Sequence, residues 1–310
     1  MEPFEAAVAR TQRQLYDLSV LPYGRLAIST FVFAAAAYSC SSDDTRTTEV
    51  MPSVTHAVVE LQRSKSTNTA VMDQANVLVS VLRVPATLDS RNVVRLVGLS
   101  ATSPEPGTCE RVDYTRSTSE ATAAVQQVEM LDVGEVTLIA GQRTSPLARQ
   151  AFPTVTDFIA GVVYTTRDLS SDPVPPASSY SIVARGAAKV PPFRIDAAAP
   201  DEIADVTLEG TPLAQVTRLV RGNGVEFKWK PGQANDKFVV QVKSPDRPDV
   251  NCAFNESEGR GHLPADVFIS RGTVRLEMHR LRVTSSPTKG LDRSQVQFDY
   301  SLAHLLELVD

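Results

Sequence analysis

Cysteine, histidine and tryptophan are scarce in this chain of 310 residues, which holds three Cys, four His and one Trp. So few cysteines exclude a disulfide-dense scaffold, and with four histidines they exclude a multi-zinc module. No basic block is present. Lys+Arg number 31 against 36 Asp+Glu, a formal charge of −5 with a pI near 5.5, which argues against a nucleic-acid-binding surface. The most apolar stretch, residues 26–37, is only 12 residues long, short of the roughly 18 that a membrane-spanning helix takes. Charged residues at 22% and a mean hydropathy of −0.11 exclude both a polytopic membrane protein and a wholly disordered chain. Neither G-x-S-x-G, H-E-x-x-H, G-x-G-x-x-G nor a Walker loop occurs.

What is abundant is Val, at 39 residues, with 26 Thr and 27 Ser. Branching at Cβ suits a pleated, half-buried surface, so this composition predicts an all-β protein. From residue 52 onward, short apolar-alternating runs recur between Pro, Gly, Asn and Asp, the pattern of a sandwich or barrel. Strands are predicted at 54–61, 70–84, 92–99, 112–116, 125–133, 135–140, 158–166 and 179–185. The run 77–84, apolar on both faces, predicts a central strand. A small-residue stretch with Pro200, after Pro191-Pro192, marks a domain boundary, giving an N-terminal β-sandwich at 51–197 and a C-terminal one at 198–310. In the second, Val225, Phe227 and Trp229 alternate with Glu226, Lys228 and Lys230, before a Pro231-Gly232 turn. Trp229 then reads as the core anchor of an immunoglobulin- or fibronectin-like sandwich. Val274, Leu276 and Met278 alternate, but Leu281 and Val283 resume one residue late, which predicts a bulge near His279-Arg280. Leu302, Leu305, Leu306 and Val309 fall at i, i+3, i+4, i+7 and predict a short closing helix.

The apolar stretch follows Arg25 and ends in Ala37-Tyr38-Ser39-Cys40, then the polar Ser41-Ser42-Asp43-Asp44. It resembles the bacterial lipoprotein signal, in which the chain is cut before a Cys that becomes acylated. That resemblance implies a signal peptide over 1–39, lipidation at Cys40 and a polar tether over 40–50. Ala37 and Tyr38 depart from the usual pattern. Ala35-Ala36-Ala37 also offers an A-x-A site for simple secretion, and a signal anchor or a buried core helix reads alike. Residues 1–24 are long and mixed in charge for the start of a signal, so 1–19 is expected to be an over-extended start. A lipid anchor makes membrane lipid a partner through Cys40, since two or three acyl chains hold where one holds marginally.

A further set of landmarks resembles uncharacterised cell-envelope lipoproteins of myxobacteria and related deltaproteobacteria. It runs Thr108-Cys109-Glu110, then Asp132-Val133-Gly134, Val190-Pro191-Pro192-Phe193 and Ala199-Pro200. It continues with Phe227-Lys228-Trp229-Lys230-Pro231-Gly232, Val250-Asn251-Cys252-Ala253-Phe254 and Gly261-His262-Leu263-Pro264. The resemblance implies a location in the cell envelope and a two-domain β fold. It implies no activity.

Candidate chemistry is sparse. Cys109 and Cys252 remain once Cys40 is lipidated. A disulfide between them is possible in an exported protein, but the domain boundary separates them, so two small buried thiols are the expected state. His56, His262, His279 and His304 show no ligand spacing and are expected to be solvated. Asp246, Asp249 and Asn251 lack the Gly and closing carboxylate of a Ca²⁺ loop. Ser286-Pro287-Thr288-Lys289 matches S-x-x-K without its companion motifs. No metal or cofactor is therefore expected. The leading expectation is a non-enzymatic envelope lipoprotein with a binding, adhesion or structural role, whose ligand is an unidentified protein or glycan. The alternatives are an exported hydrolase of envelope polysaccharide, which needs paired carboxylates in a cleft, and a carbohydrate-binding module, which needs exposed aromatics.

Overall fold

The computed structural model describes residues 52–67, 73–90, 92–93, 104–112, 128–152, 161–166 and 174–310. The predicted signal peptide, Cys40 and the tether lie outside the described residues, as does most of the strands expected at 92–99 and 112–116. Residues 50–310 form one compact unit.

The fold is all-β, apart from short helical turns. Its strands are β1 (Ser53–Ser66), β2 (Gln74–Pro85), β3 (Cys109–Arg111), β4 (Glu129–Met130), β5 (Val136–Ala140), β6 (Arg143–Pro146) and β7 (Ala148–Phe152). Next come β8 (Gly161–Thr165), β9 (Ser179–Ala184), β10 (Phe193–Ala198), β11 (Thr207–Leu208), β12 (Thr211–Pro212) and β13 (Arg218–Val220). The last are β14 (Val225–Lys228), β15 (Lys237–Ser244), β16 (Arg247–Phe254), β17 (Arg260–Leu263), β18 (Gly272–Ser285) and β19 (Arg293–Val309).

One large sheet runs β3-β16-β15-β18-β19-β1-β2-β8-β7, with β13 added to β19 and β4 to β2. Two four-stranded sheets, β10-β9-β5-β6 and β12-β11-β14-β17, supply a second layer. The first core joins Val59, Leu61, Val77 and Val79 of the large sheet to Leu138, Ile182 and Ile195 of the β9 sheet. The second joins Phe238, Val240, Leu276 and Met278 to Leu208, Phe227 and Leu263 of the β14 sheet. The predicted boundary near residue 200 falls between these two cores, while the large sheet runs through both. β19 serves both, lending Val296 and Phe298 to the first and Leu306 and Leu308 to the second.

β1 and β19 pair in parallel from His56↔Arg293 to Ser66↔Ala303. A parallel pair is normally covered on both faces. β1 shows this, because Val58 on its other face is also buried, against Leu82, Val84 and Val93. β2, the strand predicted to be central, lies between β1 and β8.

Two local expectations are corrected. β18 carries no bulge, and pairs with β19 one to one from Gly272↔Leu308 to Ser285↔Gln295. The alternation does not slip: Arg280 and Arg282 take the inward positions after Met278, which leaves Leu281 and Val283 on the other face. The tail is not a helix either, because β19 continues to Val309. β18 on one side and β1, then β13, on the other supply ladder partners along nearly its full length, and this pairing overrides the local spacing.

Candidate functional site

Two of the landmark motifs, Ala199-Pro200 and the W-x-P-G turn, meet at a seam between the two cores. Arg280 is 1% exposed and uses all five of its N–H donors. Nε and Nη2 donate to Glu256 Oε1 at 3.1 and 2.7 Å, and Nη2 also reaches the Lys230 carbonyl at 2.6 Å. Nη1 donates to the carbonyls of Asp201 and Glu202, both at 3.0 Å. Two residues along, Arg282 grips Asp236 with a fork of 2.6 and 2.9 Å and donates to the Ala199 carbonyl at 2.7 Å. On β1, Arg63 donates to the Val174 carbonyl and lies 3.5 Å from Glu202. Three inward arginines therefore hold the connection between the cores down on the large sheet.

The W-x-P-G landmark belongs to the same seam. Trp229 Nε1 and the Gly232 amide both donate to Glu256 Oε1, at 3.2 and 2.6 Å. Trp229 is 3% exposed and stacks on Phe238 with ring centres 4.0 Å apart, so it is a core residue as expected. A Cβ on Gly232 would come within 2.8 Å of Asp236 Oδ2 and 2.9 Å of Arg280 Nε, which explains glycine there. The Asp132-x-Gly134 landmark is a second structural clasp. Asp132 accepts from Arg149, Tyr164 Oη and the Gly134 amide, and the Arg149 hydrogen bond leads in holding its carboxyl down at about 2.

Cys109 and Cys252 form a disulfide. The expectation of two separate thiols is corrected, because β3 crosses to the far edge of the large sheet and pairs with β16. The two cysteines sit directly opposite, with Cα atoms 4.0 Å apart. The flanking ladder bonds, Ala253 N to the Thr108 carbonyl and Val112 N to the Asp249 carbonyl, mark this as a non-hydrogen-bonded pair, where facing side chains are closest.

On the opposite face of the large sheet, His279 sits between two carboxylates. Its Nδ1 donates to Asp299 Oδ1 at 2.8 Å, and Nε2 lies 3.8 Å from Glu277 Oε2. Burial alone would depress this imidazole, but the charge and hydrogen bond of Asp299, aided by Glu277, push it up to about 9. Burial opposes ionisation of Glu277 as well, yet His279, Lys243 and Arg275 together pull its carboxyl down to about 2. Near neutral pH the raised His279 is protonated within this ion network and has no lone pair to act as a base or a metal ligand. On β1, burial outweighs a 2.7 Å hydrogen bond from Gln62 and, with the charge of Asp299, pushes Glu60 up to about 7. Burial, then the charge of Arg293, pushes His56 down to about 4.

These shifts fix the sign of the pH dependence. The raised His279 contributes stability that is complete below its ordinary 6.5 and lost as pH climbs to about 9. Glu60 acts in the same sense between 4.5 and about 7. The depressed Glu277 contributes stability that is lost as pH falls from 4.5 to about 2, and His56 costs stability as pH falls from 6.5 to about 4. Stability should peak near pH 4.5–6.5 and decline toward pH 9. The His279 share of that decline is on the order of 2–3 kcal/mol. Urea midpoints across pH check this: His279→Gln should flatten the limb between pH 6.5 and 9, and an unchanged limb would contradict it.

The other expected positions fall as follows. His262 is exposed on β17, whereas His56 and His304 are 1% and 4% exposed, so the expectation of solvated histidines holds for His262 alone. His304 Nε2 contacts the Val216 carbonyl at 2.6 Å. Ser286 and Thr288 share hydrogen bonds with Ser294 in the β18–β19 turn, and Lys289 is exposed. Among the described residues, no group of three or more His, Cys, Asp or Glu is arranged to hold a metal ion, and no helix is long and apolar enough to cross a membrane. The charged seam escaped the sequence reading, although Arg280 and Arg282 continue the inward spacing of Val274, Leu276 and Met278. Compared with known proteins, the chain matches no family model and no curated sequence.

Proposed function

We propose that the chain is an exported lipoprotein of the bacterial cell envelope, anchored through an acylated Cys40, with a non-enzymatic binding or structural role. The observation that carries this reading is the Cys109–Cys252 disulfide. Such bridges persist in oxidising, extracytoplasmic compartments and are rare in the cytosol. The landmarks that resemble myxobacterial envelope lipoproteins support the same reading, since several of them take part in the disulfide, the Asp132 clasp and the contacts around Glu256 and Arg282. An immunoglobulin-like character for residues 198–310 is the finer part of the proposal, supported by Trp229 packed in the second core.

Neither alternative gains a supporting contact at Trp229 or His279. Trp229 is stacked on Phe238 and closed to a sugar ring, and His279 is held protonated between carboxylates. The test is palmitate labelling of the wild type against Cys40→Ala. The wild type should incorporate label and the variant should not; equal label in both would refute the anchor.

A further inference from the structure

At the edge of the second core, a small depression is lined by Arg111, Val242, Arg247, Val250, Asp266 and Ser270, among others. Three observations bear on what it could hold. Arg111 pairs with Val250, which pairs with Val242, so Arg111 extends an inward-facing row beyond the apolar core. Arg111 and Arg247 are exposed, and among the described residues neither has an ion-pair partner. Ser270 is 1% exposed, yet among the described residues its Oγ has no hydrogen-bond partner. A buried hydroxyl without a partner carries a desolvation cost that a bound acceptor would remove. Guanidinium forks match carboxylate and phosphate oxygens, and their charge is weakly hydrated.

We propose that this depression binds the oxyanion of a compact acidic ligand, a carboxylate or phosphate group held by Arg111 and Arg247 with a hydrogen bond from Ser270 Oγ. Asp266, exposed at the rim, accepts from a ligand hydroxyl and repels a second anionic group. A sugar acid or sugar phosphate with one charged group therefore fits better than a polyanion. Val250, partly exposed, offers apolar contact to the ligand body. The Cys109–Cys252 bridge fixes β3 two residues before Arg111, so it positions the cation. This inference rests on the binding role proposed above and gives it a ligand class.

The experiment is isothermal titration of the full-length chain with glucuronate, glucose 6-phosphate and glucose, for the wild type, Arg111→Gln and Arg247→Gln. At least one acid should bind saturably while glucose does not, and each variant should lose roughly tenfold or more in affinity. The acid that binds tighter identifies the anionic group. Both arginines are exposed, so thermal melting of the variants should match the wild type. The proposal is overturned if neither acid binds at millimolar concentration, if glucose binds as well as the acids, or if both variants bind unchanged. Palmitate labelling should be the same in both variants, so lost binding does not bear on the anchor.

Discussion

Arg280→Ala should cost the fold roughly 3–5 kcal/mol, the range for breaking a buried ion pair by removing one partner. For a unit of this size that lowers Tm by roughly 6–20 °C. The cause is specific. Glu256 has a side chain only 1% exposed, and among the described residues its Oε2 has no hydrogen-bond partner. Without Arg280 its charge keeps only Trp229 Nε1 and the Gly232 amide. The carbonyls of Asp201, Glu202 and Lys230 lose a donor at the same time. Arg280→Lys should recover little, because an ammonium offers three donors from one point where the guanidinium offers five in a fork. The double variant Arg280→Met, Glu256→Gln should be less destabilised than Arg280→Ala, since it removes both charges from the interior. Urea unfolding of the four proteins measures this, and a loss below about 0.5 kcal/mol for Arg280→Ala would place the residue among ordinary surface positions.

Removal of the disulfide should have an effect of similar size. Cys109 and Cys252 are 143 residues apart in sequence, and closing a loop of that length is worth about 5 kcal/mol in the chain-entropy account. Losses of roughly 2–5 kcal/mol are typical when a native bridge is removed. The effect also has a place. β3 is a three-residue edge strand with exposed residues, and beyond the bridge it is joined to β16 by a short ladder. Amide exchange should therefore rise at Gly107, Val112 and Ala253, whose N–H groups bond across that ladder, when the protein is reduced or made Cys109→Ser, Cys252→Ser. β18 and β19, paired over 14 positions in mid-sheet, should keep their protection. Uniform protection with and without the bridge would contradict this picture.

The legible parts of the fold were those where one face is simply apolar. β2 is buried on both faces and reads as a central strand; Trp229 alternates with lysines and reads as core. The illegible parts were those where a partner distant in sequence decides. Arg280 and Arg282 look solvated until Glu256 and Asp236 are placed against them from other parts of the chain. An inward arginine is then indistinguishable from a slip in phase. The tail has a helical spacing, but β18 beside it offers a complete ladder. Cys109 and Cys252 fall on either side of the predicted boundary and meet because β3 joins the sheet edge beyond β16. His279 stands on a polar face, as its alternation suggests, and only register shows that Asp299 and Glu277 enclose it. For the candidate site, Arg111 and Arg247 carry no motif. They become a pair only where β3 and the β15–β16 hairpin border one depression.

The most direct test of the account is peptide mapping by mass spectrometry of the protein isolated from cell membranes with free thiols trapped at lysis. The account predicts a Cys109 peptide linked to a Cys252 peptide, and an N-terminal peptide that starts at an acylated Cys40. Alkylated thiols at Cys109 and Cys252, with unmodified Cys40 inside a peptide that extends upstream of it, would contradict it.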